Sequence, residues 1–509
     1  MSNLSIQCAL ITPILGAVGI WYFSHRPNLR DALTLLTASI LFFIVLHILF
    51  DVLEGRKLSW QLIEMLPGLS IYFEIEPLGM IFAVVASLLW IVTSIYAIGY
   101  MRGHNEKNQT RFYIFFAIAI SSTIGIAFSG NMLTLFIFYE ILTLSTFPLV
   151  THSGSSEAKR AGRVYLGILL GTSICFQLVA IIWTWFLAET LSFEVGGILN
   201  SSVGTFTLSI LLGLYVFGIG KAALMPFHSW LPSAMVAPTP VSALLHAVAV
   251  VKAGVFTVLK ITIYVFGLDT LQDLDVRQLL QYIAAFTIIV SSLIAMSKDN
   301  LKARLAYSTV SQLSYIILAA MLANDISAIG GGMHIVMHAF GKITLFFCAG
   351  AIMVACHKTE ISQMHGLGRK MPLTFFCFLL GSLCIVGVPP FGGMWSKWFI
   401  VLGSINSGNL IFVVVLILSS LLSLVYFIPI VVRGFFSKSS DVVHHGPTTT
   451  TNTVAFVGDA SGPKVISLFG FQEAPLPCLV AISISCLGCI VLFFSGNVIY
   501  NFLLLSLEY

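Results

Sequence analysis

An all-α polytopic membrane protein of about fourteen spans is the fold class this sequence predicts, and three observations predict it. Of 509 residues, 58% are hydrophobic and only 9% charged, against about 25% charged in soluble domains. Apolar runs of roughly 18 or more residues recur from end to end, and the mean hydropathy is +0.99. The runs are continuous instead of alternating, which argues against strands.

The polar breaks place spans near 5–23, 33–51, 71–99, 111–128, 131–150, 164–187 and 206–225 in the first half. The second half adds 240–263, 280–296, 305–322, 327–355, 372–402, 410–432 and 475–504. No Lys or Arg precedes the first run, so a cleaved signal is not expected there. The stretch 437–474, rich in Ser, Thr, Gly and Pro, reads as a flexible cytoplasmic loop in which His444 and His445 are solvated.

Loop charge sets the expected orientation. Seventeen Lys and Arg residues fall in the odd-numbered loops, and three, Arg56, Lys57 and Arg277, in the even ones. The positive-inside rule then puts the odd loops in the cytoplasm and both termini outside. The net charge of +4 is scattered, with no basic run for nucleic acid. Most of the nine cysteines lie in apolar runs. Cys486 and Cys489 read as small core residues, and no spacing suits an iron–sulfur cluster.

Lys260, at the end of the eighth span, is expected to snorkel. That leaves Lys221, Lys252, Lys342 and Lys397 with no loop to reach, and Glu140 as the acid in mid-membrane. Glu140 lies about ten residues, or about 15 Å of helix, past the break at Ser129–Asn131. A charge at such depth costs at least about 2.5–3.5 kcal/mol, so its default reading is functional. A structural ion pair between Glu140 and Lys221 is the competing reading, and it leaves three lysines unexplained. An ordinary lysine resists losing its proton near pH 7.5 by about 4 kcal/mol. A mobile carboxylate beside it would make that affinity depend on position. One charge crossing 100 mV supplies about 2.3 kcal/mol, a comparable drive.

In "GGMHIVMHAFGKITLF", His334, His338 and Lys342 stand at i, i+4 and i+8 on one helical face. The spacing suits a proton relay. Zinc is the other reading of His-x3-His, but no acid or cysteine lies nearby and a lysine one turn away would repel a metal. His246 has the same two uses, relay or core hydrogen bonding. Pro226 follows Lys221, and Pro389 and Pro390 precede Lys397. Such breaks free backbone groups that lipid cannot satisfy, and at corresponding places in two halves they point to an ion site between repeats. "GIGK" at 218–221 lacks the length and the Ser or Thr of a phosphate loop.

Together, "FYEILTLSTFPL", "GKAALMPFHSWLPSAMVAPTPVSALLHAVAVVKAG", "NLKARLAYSTVSQLSYI", "HIVMHAFGKITLFF" and "GVPPFGGMWSKW" occur in family order over about residues 110–420. They resemble the antiporter-like proton-channel subunits of respiratory complex I and of multisubunit Mrp-type sodium/proton antiporters. The resemblance implies two inverted five-helix repeats, over 111–263 and 280–432, with discontinuous seventh and twelfth helices. Three N-terminal helices (1–110), a cytoplasmic loop (433–474) and a C-terminal helix (475–509) flank them. It implies that Glu140 regulates Lys221, that Lys252 is the central relay on the eighth helix, and that His334, His338 and Lys342 connect it to Lys397.

No cofactor or metal is implied. The implied partners are other membrane subunits, the lipid bilayer, protons and Na+ or K+, in a bacterial plasma membrane. Length and Lys397 resemble the D-type antiporter subunit, whereas "APTPVSALLHA" resembles the large A-type subunit or its complex I relative. A sodium/proton antiporter subunit is the first reading. The alternative is a proton-pumping subunit of an NADH-quinone oxidoreductase or related membrane hydrogenase, without a redox site of its own. An organic-solute symporter and a purely structural subunit are the remaining readings.

Overall fold

The protein is described here from a computed structural model covering residues 2–199, 203–437, 466–468 and 471–508. Most of the polar loop, with His444 and His445, lies outside the described residues. The helices of the first half run Ser2–Tyr22, Pro27–Leu53, Pro77–Gly103, Gln109–Ala127, Met132–Val150, Ser156–Ala188 and Thr205–Gly218. They are the first to seventh helices below. The eighth to eleventh are Thr239–Phe266, Asp275–Ser297, Leu301–Met321 and Asp325–Cys356. The twelfth has two halves, Pro372–Val386 and Gly393–Asn406; the thirteenth is Leu410–Phe436. The fourteenth is Leu476–Phe494, continued after Ser495 by Gly496–Glu508.

Among the described residues, eleven of these segments are long and apolar enough to cross a membrane unaided. The exceptions have physical causes. The seventh and twelfth are broken into short pieces, and the tenth carries Lys302, Arg304 and a row of hydroxyl residues along its 21 residues.

Burial sorts the helices by environment. The most apolar stretch of the eighth helix is 100% buried and that of the eleventh 83%, against 33% for the second and the thirteenth. The eighth and eleventh therefore form the axis of the protein, and the second and thirteenth face lipid. The eleventh packs against the third, eighth, tenth and fourteenth helices and both halves of the twelfth.

Two expectations need correction. The third span does not begin near 71. Ser59–Leu66 (β1) and Leu69–Glu74 (β2) form an antiparallel hairpin, and the helix starts at Pro77. Pro67 and Gly68 supply the turn, with Gly68 at φ +79°. The second helix begins at Pro27, so Arg30 is not a loop residue but is buried with Asp31, which also binds Arg102. Two small hairpins thus exist where none was expected; the second pairs Ile466–Leu468 (β3) with Phe471–Glu473 (β4).

The fifth and tenth helices begin alike. Asn131 accepts from the Thr134 N–H, and the Met132 N–H donates to the Leu191 carbonyl. Asn300 accepts from the Ala303 N–H, and the Leu301 N–H donates to the Thr359 carbonyl. Each bond ties a helix start to the chain that follows the next helix.

Glu473 on β4 secures the start of the broken twelfth helix. Its carboxylate accepts from the Leu373 N–H at 2.8 Å, the Thr374 N–H at 3.3 Å and the Thr374 hydroxyl at 2.6 Å. A carboxylate there also suits the positive end of the helix. Replacing it, Glu473→Ala, is expected to cost about 1.5–3 kcal/mol, the usual worth of hydrogen bonds to a charged group; denaturant unfolding in detergent checks it.

Candidate functional site

The seventh helix stops at Gly218, three residues before Lys221, so the break precedes the lysine. Pro226 does not create it. Lys221 sits in a single 3-10 turn, Gly220–Ala222, after which Ala223 takes φ +54°. Close approach requires the small residues. A side chain at Gly218 would meet the Gln177 backbone at 2.5 Å, and one at Gly254 of the eighth helix would meet the Ala222 nitrogen at 2.4 Å. The Trp230 indole N–H holds the turn by donating to the Gly220 carbonyl at 2.9 Å.

Lys221 is fully buried and reaches the fifth helix. Its ammonium donates to the Tyr139 carbonyl at 2.8 Å and the Thr143 hydroxyl at 2.6 Å, and lies 3.0 Å from the centre of the Tyr139 ring. Glu140 makes no direct ion pair with it. Both Glu140 carboxylate oxygens are buried without a hydrogen-bond partner among the described residues. The neighbouring backbone carbonyl takes the place expected for the carboxylate.

Lys252, also fully buried, meets His338 Nδ1 at 2.6 Å. His338 and His334 are neighbours on one face of the eleventh helix, their rings 5.7 Å apart. His334 continues in two directions. Its Nδ1 lies 2.9 Å from the Ser396 hydroxyl, and its ring stacks on Tyr315 at 5.6 Å. Tyr315 in turn lies 5.0 Å beneath the Lys397 ammonium. Lys397 donates to the Val386 carbonyl at 3.2 Å, across the break after the first half of the twelfth helix, and to Ser420 at 2.9 Å. Pro389 and Pro390 occupy that break, which Gly387 opens at φ +87°.

Lys342 makes its hydrogen bonds to another helix. Its ammonium donates to the Ser308 hydroxyl at 2.6 Å and the Leu305 carbonyl at 3.2 Å on the tenth helix. The Tyr426 hydroxyl also donates to Ser308, at 2.8 Å. His246, on a π-helical turn of the eighth helix, is fully buried, packs on Phe346, and has no hydrogen bond on either ring nitrogen among the described residues. No group of three or more metal-ligating side chains occurs among the described residues.

Lys260 does not snorkel. It is 1% exposed and pairs with Glu76, the residue before the third helix, at 2.7 Å. The hairpin β1–β2 and the chain around Phe193 cover that end of the eighth helix, so no headgroup region is within its reach. Sequence reasoning missed Glu76, and missed Tyr139, Thr143, Ser308, Tyr315 and Ser396 as partners of the buried cations. Helical spacing from Glu140 points to Thr143; nothing local marks the others.

A bundle of apolar helices, two of them broken beside a lysine and threaded by buried amines and imidazoles, defines an antiporter-like integral membrane protein. The family described as "NADH:quinone oxidoreductase/Mrp antiporter, TM" matches residues 129–423, and the chain belongs to it. NADH-quinone oxidoreductase subunit N of Desulforudis audaxviator is 31% identical over 72% of this chain and 74% of that protein. NAD(P)H-quinone oxidoreductase chain 5 of Synechocystis sp. is 30% identical over 69% of this chain, which spans only 53% of that relative. In fold, the chain is similar to one in the Mrp complex of Dietzia sp., with TM-score 0.83 and 19% identity over 99% of this chain and 97% of that one.

Because Gly254 touches the turn that carries Lys221, even a methyl group is expected to displace it. Gly254→Ala should lower stability by about 1–3 kcal/mol, as overpacking does, and Gly254→Val by more; thermal unfolding in detergent measures both.

Proposed function

We propose that this chain is a proton-translocating membrane subunit of a multisubunit assembly, with Lys221, Lys252, His338, His334 and Lys397 as its relay. The observation that carries the reading is the buried row from Lys252 through His338 and His334 to Ser396, Tyr315 and Lys397. Neutral imidazole both accepts and donates a proton, and an ammonium is the donor that starts such an exchange. Glu140, one residue from the carbonyl that holds Lys221, tunes that lysine through its charge. Lys342 is a side branch toward Ser308 and Tyr426, and His246 is a reserve acceptor on the eighth helix.

Two five-helix repeats, 111–263 and 280–432, form the translocating body, flanked by 1–110, 433–474 and 475–509. The matching starts of the fifth and tenth helices support the repeat. With the odd loops in the cytoplasm and the termini outside, those two starts lie on opposite faces, as inverted copies require.

The first reading of the assembly is a monovalent cation/proton antiporter of the Mrp type in a bacterial plasma membrane, favoured by the lysine at 397. The second is a redox-driven, complex I-like assembly, favoured by the names of its relatives. Proteins copurifying in mild detergent separate them: small membrane subunits support antiport, and flavin or iron–sulfur proteins support redox drive. Under either reading, Lys221→Ala at normal expression is expected to slow proton-coupled transport in membrane vesicles by about 100-fold, the scale of a lost acid–base group. Unchanged transport would overturn the relay.

A further inference from the structure

The Glu76–Lys260 pair has no place in the row just described, yet with adjacent Arg30–Asp31 it is one of two ion pairs among the described residues in which both side chains are less than 10% exposed. Its surroundings differ from those of a structural staple. It lies at the floor of a cavity of about 550 Å³. Lys57, Glu194 and Val195 are exposed at the rim, and half-buried Glu74 stands on the wall. Every lining residue comes from an even-numbered connection or the helix end beside it: the hairpin after the second helix, the turn at Ser129–Gly130, the chain after the sixth, and the end of the eighth. The cavity therefore opens on one face of the membrane, the face that loop charge places outside.

The other side of the pair points toward the relay. Lys252, Phe256 and Lys260 stand at i, i+4 and i+8, so they share one face of the eighth helix. The two lysines are about 12 Å apart along the axis. Phe256 lies between them on that face. Its ring lies 5.5 Å from the Lys260 ammonium and packs on Phe82 of the third helix at 5.0 Å between centres. An aromatic ring in a narrow polar path is the kind of apolar constriction that opens by admitting water. The Lys260 ammonium is also held by the Ser129 carbonyl, so releasing Glu76 does not leave it bare.

We propose that this cavity is the outer proton port of the protein, with Lys260 as its carrier, Glu76 as the counter-ion and Phe256 as the gate to Lys252. It rests on the relay reading above. The Lys260 ammonium first passes a proton to the Glu74 carboxylate or to water in the cavity. When Phe256 turns aside and water enters, the neutral Lys260 amine takes the proton of the Lys252 ammonium through that water, and the Lys260 ammonium is restored. No electron moves and no bond other than those to the proton is made or broken. Transport in the other direction reverses each transfer. Burial, and after it the charge of Glu76, raise the Glu74 carboxyl above its ordinary range, which favours proton capture at the wall.

Two measurements test the port in vesicles of both orientations containing the whole assembly. Val195→Cys places a thiol at the rim, away from the carriers, and should transport normally. A membrane-impermeant, positively charged methanethiosulfonate added from the outer face should then slow transport by about fivefold by obstructing the constricted path, and have no effect from the inner face. The native chain, with its nine cysteines, is the control. Separately, Lys260→Met with Glu76→Gln removes both charges together, which a buried pair tolerates better than losing one. It should slow transport by about tenfold or more as a lost proton carrier.

Outer-face labelling without slowing, slowing from the inner face only, or a double variant near the native rate would each overturn the port. Lys221→Ala run in parallel separates the two readings. If it abolishes transport while the port variants do not, the port alone is wrong. If it also transports normally, the relay has failed and the port with it.

Discussion

An ammonium group inside a lipid-facing bundle needs acceptors, and here the backbone supplies one to each of four lysines. Lys221 donates to the Tyr139 carbonyl, Lys260 to that of Ser129, Lys342 to that of Leu305 and Lys397 to that of Val386. Two of these carbonyls, Ser129 and Val386, lie where a helix ends and its last carbonyls lack helical donors. Burying a charge without such bonds would cost far more than the fold could offset. Lys252 differs. Its recorded partner is an imidazole, His338, which is itself able to take a proton. Lys221, Lys342 and Lys397 are held by carbonyls and hydroxyls, which stay neutral; Lys252 is held by a group with which it can exchange.

The broken helices follow from the same constraint. For Lys221 to reach the fifth helix while its own backbone stays bonded, the seventh helix has to stop and turn between its neighbours. That is possible only where Gly218 and Gly254 let backbones touch and Gly220 leaves room for the Thr172 side chain. In the twelfth helix the equivalent demand falls on Gly393, where a side chain would lie 1.9 Å from the Cys384 carbonyl oxygen. The second half of that helix can thus fold back against the first, and Lys397 spans the gap. Glycine placement and lysine placement are one requirement seen from two sides.

Much of this was legible in the sequence because lipid imposes a coarse and strict code. Long apolar runs become helices, and a lysine without a loop is conspicuous, so the spans and the buried cations Lys221, Lys252, Lys342 and Lys397 could be read directly. The partners could not. Thr143 and Ser308 look like any hydroxyl residue in a helix, and their meaning depends on which helix lies opposite. Lys260 was misread because its distance from the span end suggested open water, whereas the hairpin β1–β2 folds over it. That hairpin was itself hidden, since β2 runs almost directly into the apolar third helix. His334 and Lys342 share a helical face, but only the neighbours of the eleventh helix decide that one lies toward Lys397 and the other toward Ser308.

The likeness between the two halves also locates their difference. Aligning the starts at Asn131 and Asn300 sets Glu140 against Thr309, and the Thr309 hydroxyl simply returns to the Leu305 carbonyl of its own helix. The carboxylate thus belongs to the half that holds Lys221, while the half that holds Lys342 and Lys397 carries a neutral hydroxyl at the matching place. A relay with the same groups at both ends would have no electrostatic preference for either. Here the Lys221 end is favoured for positive charge by a buried acid, and the Lys397 end relies on carbonyl and hydroxyl dipoles, which bind an ammonium more weakly than a carboxylate does. On the relay proposed above, a positive charge would therefore run between unequal ends. On that proposal, any change that shifts Glu140 relative to Lys221 would alter the inequality without touching the row itself, which is the property a driven proton path requires.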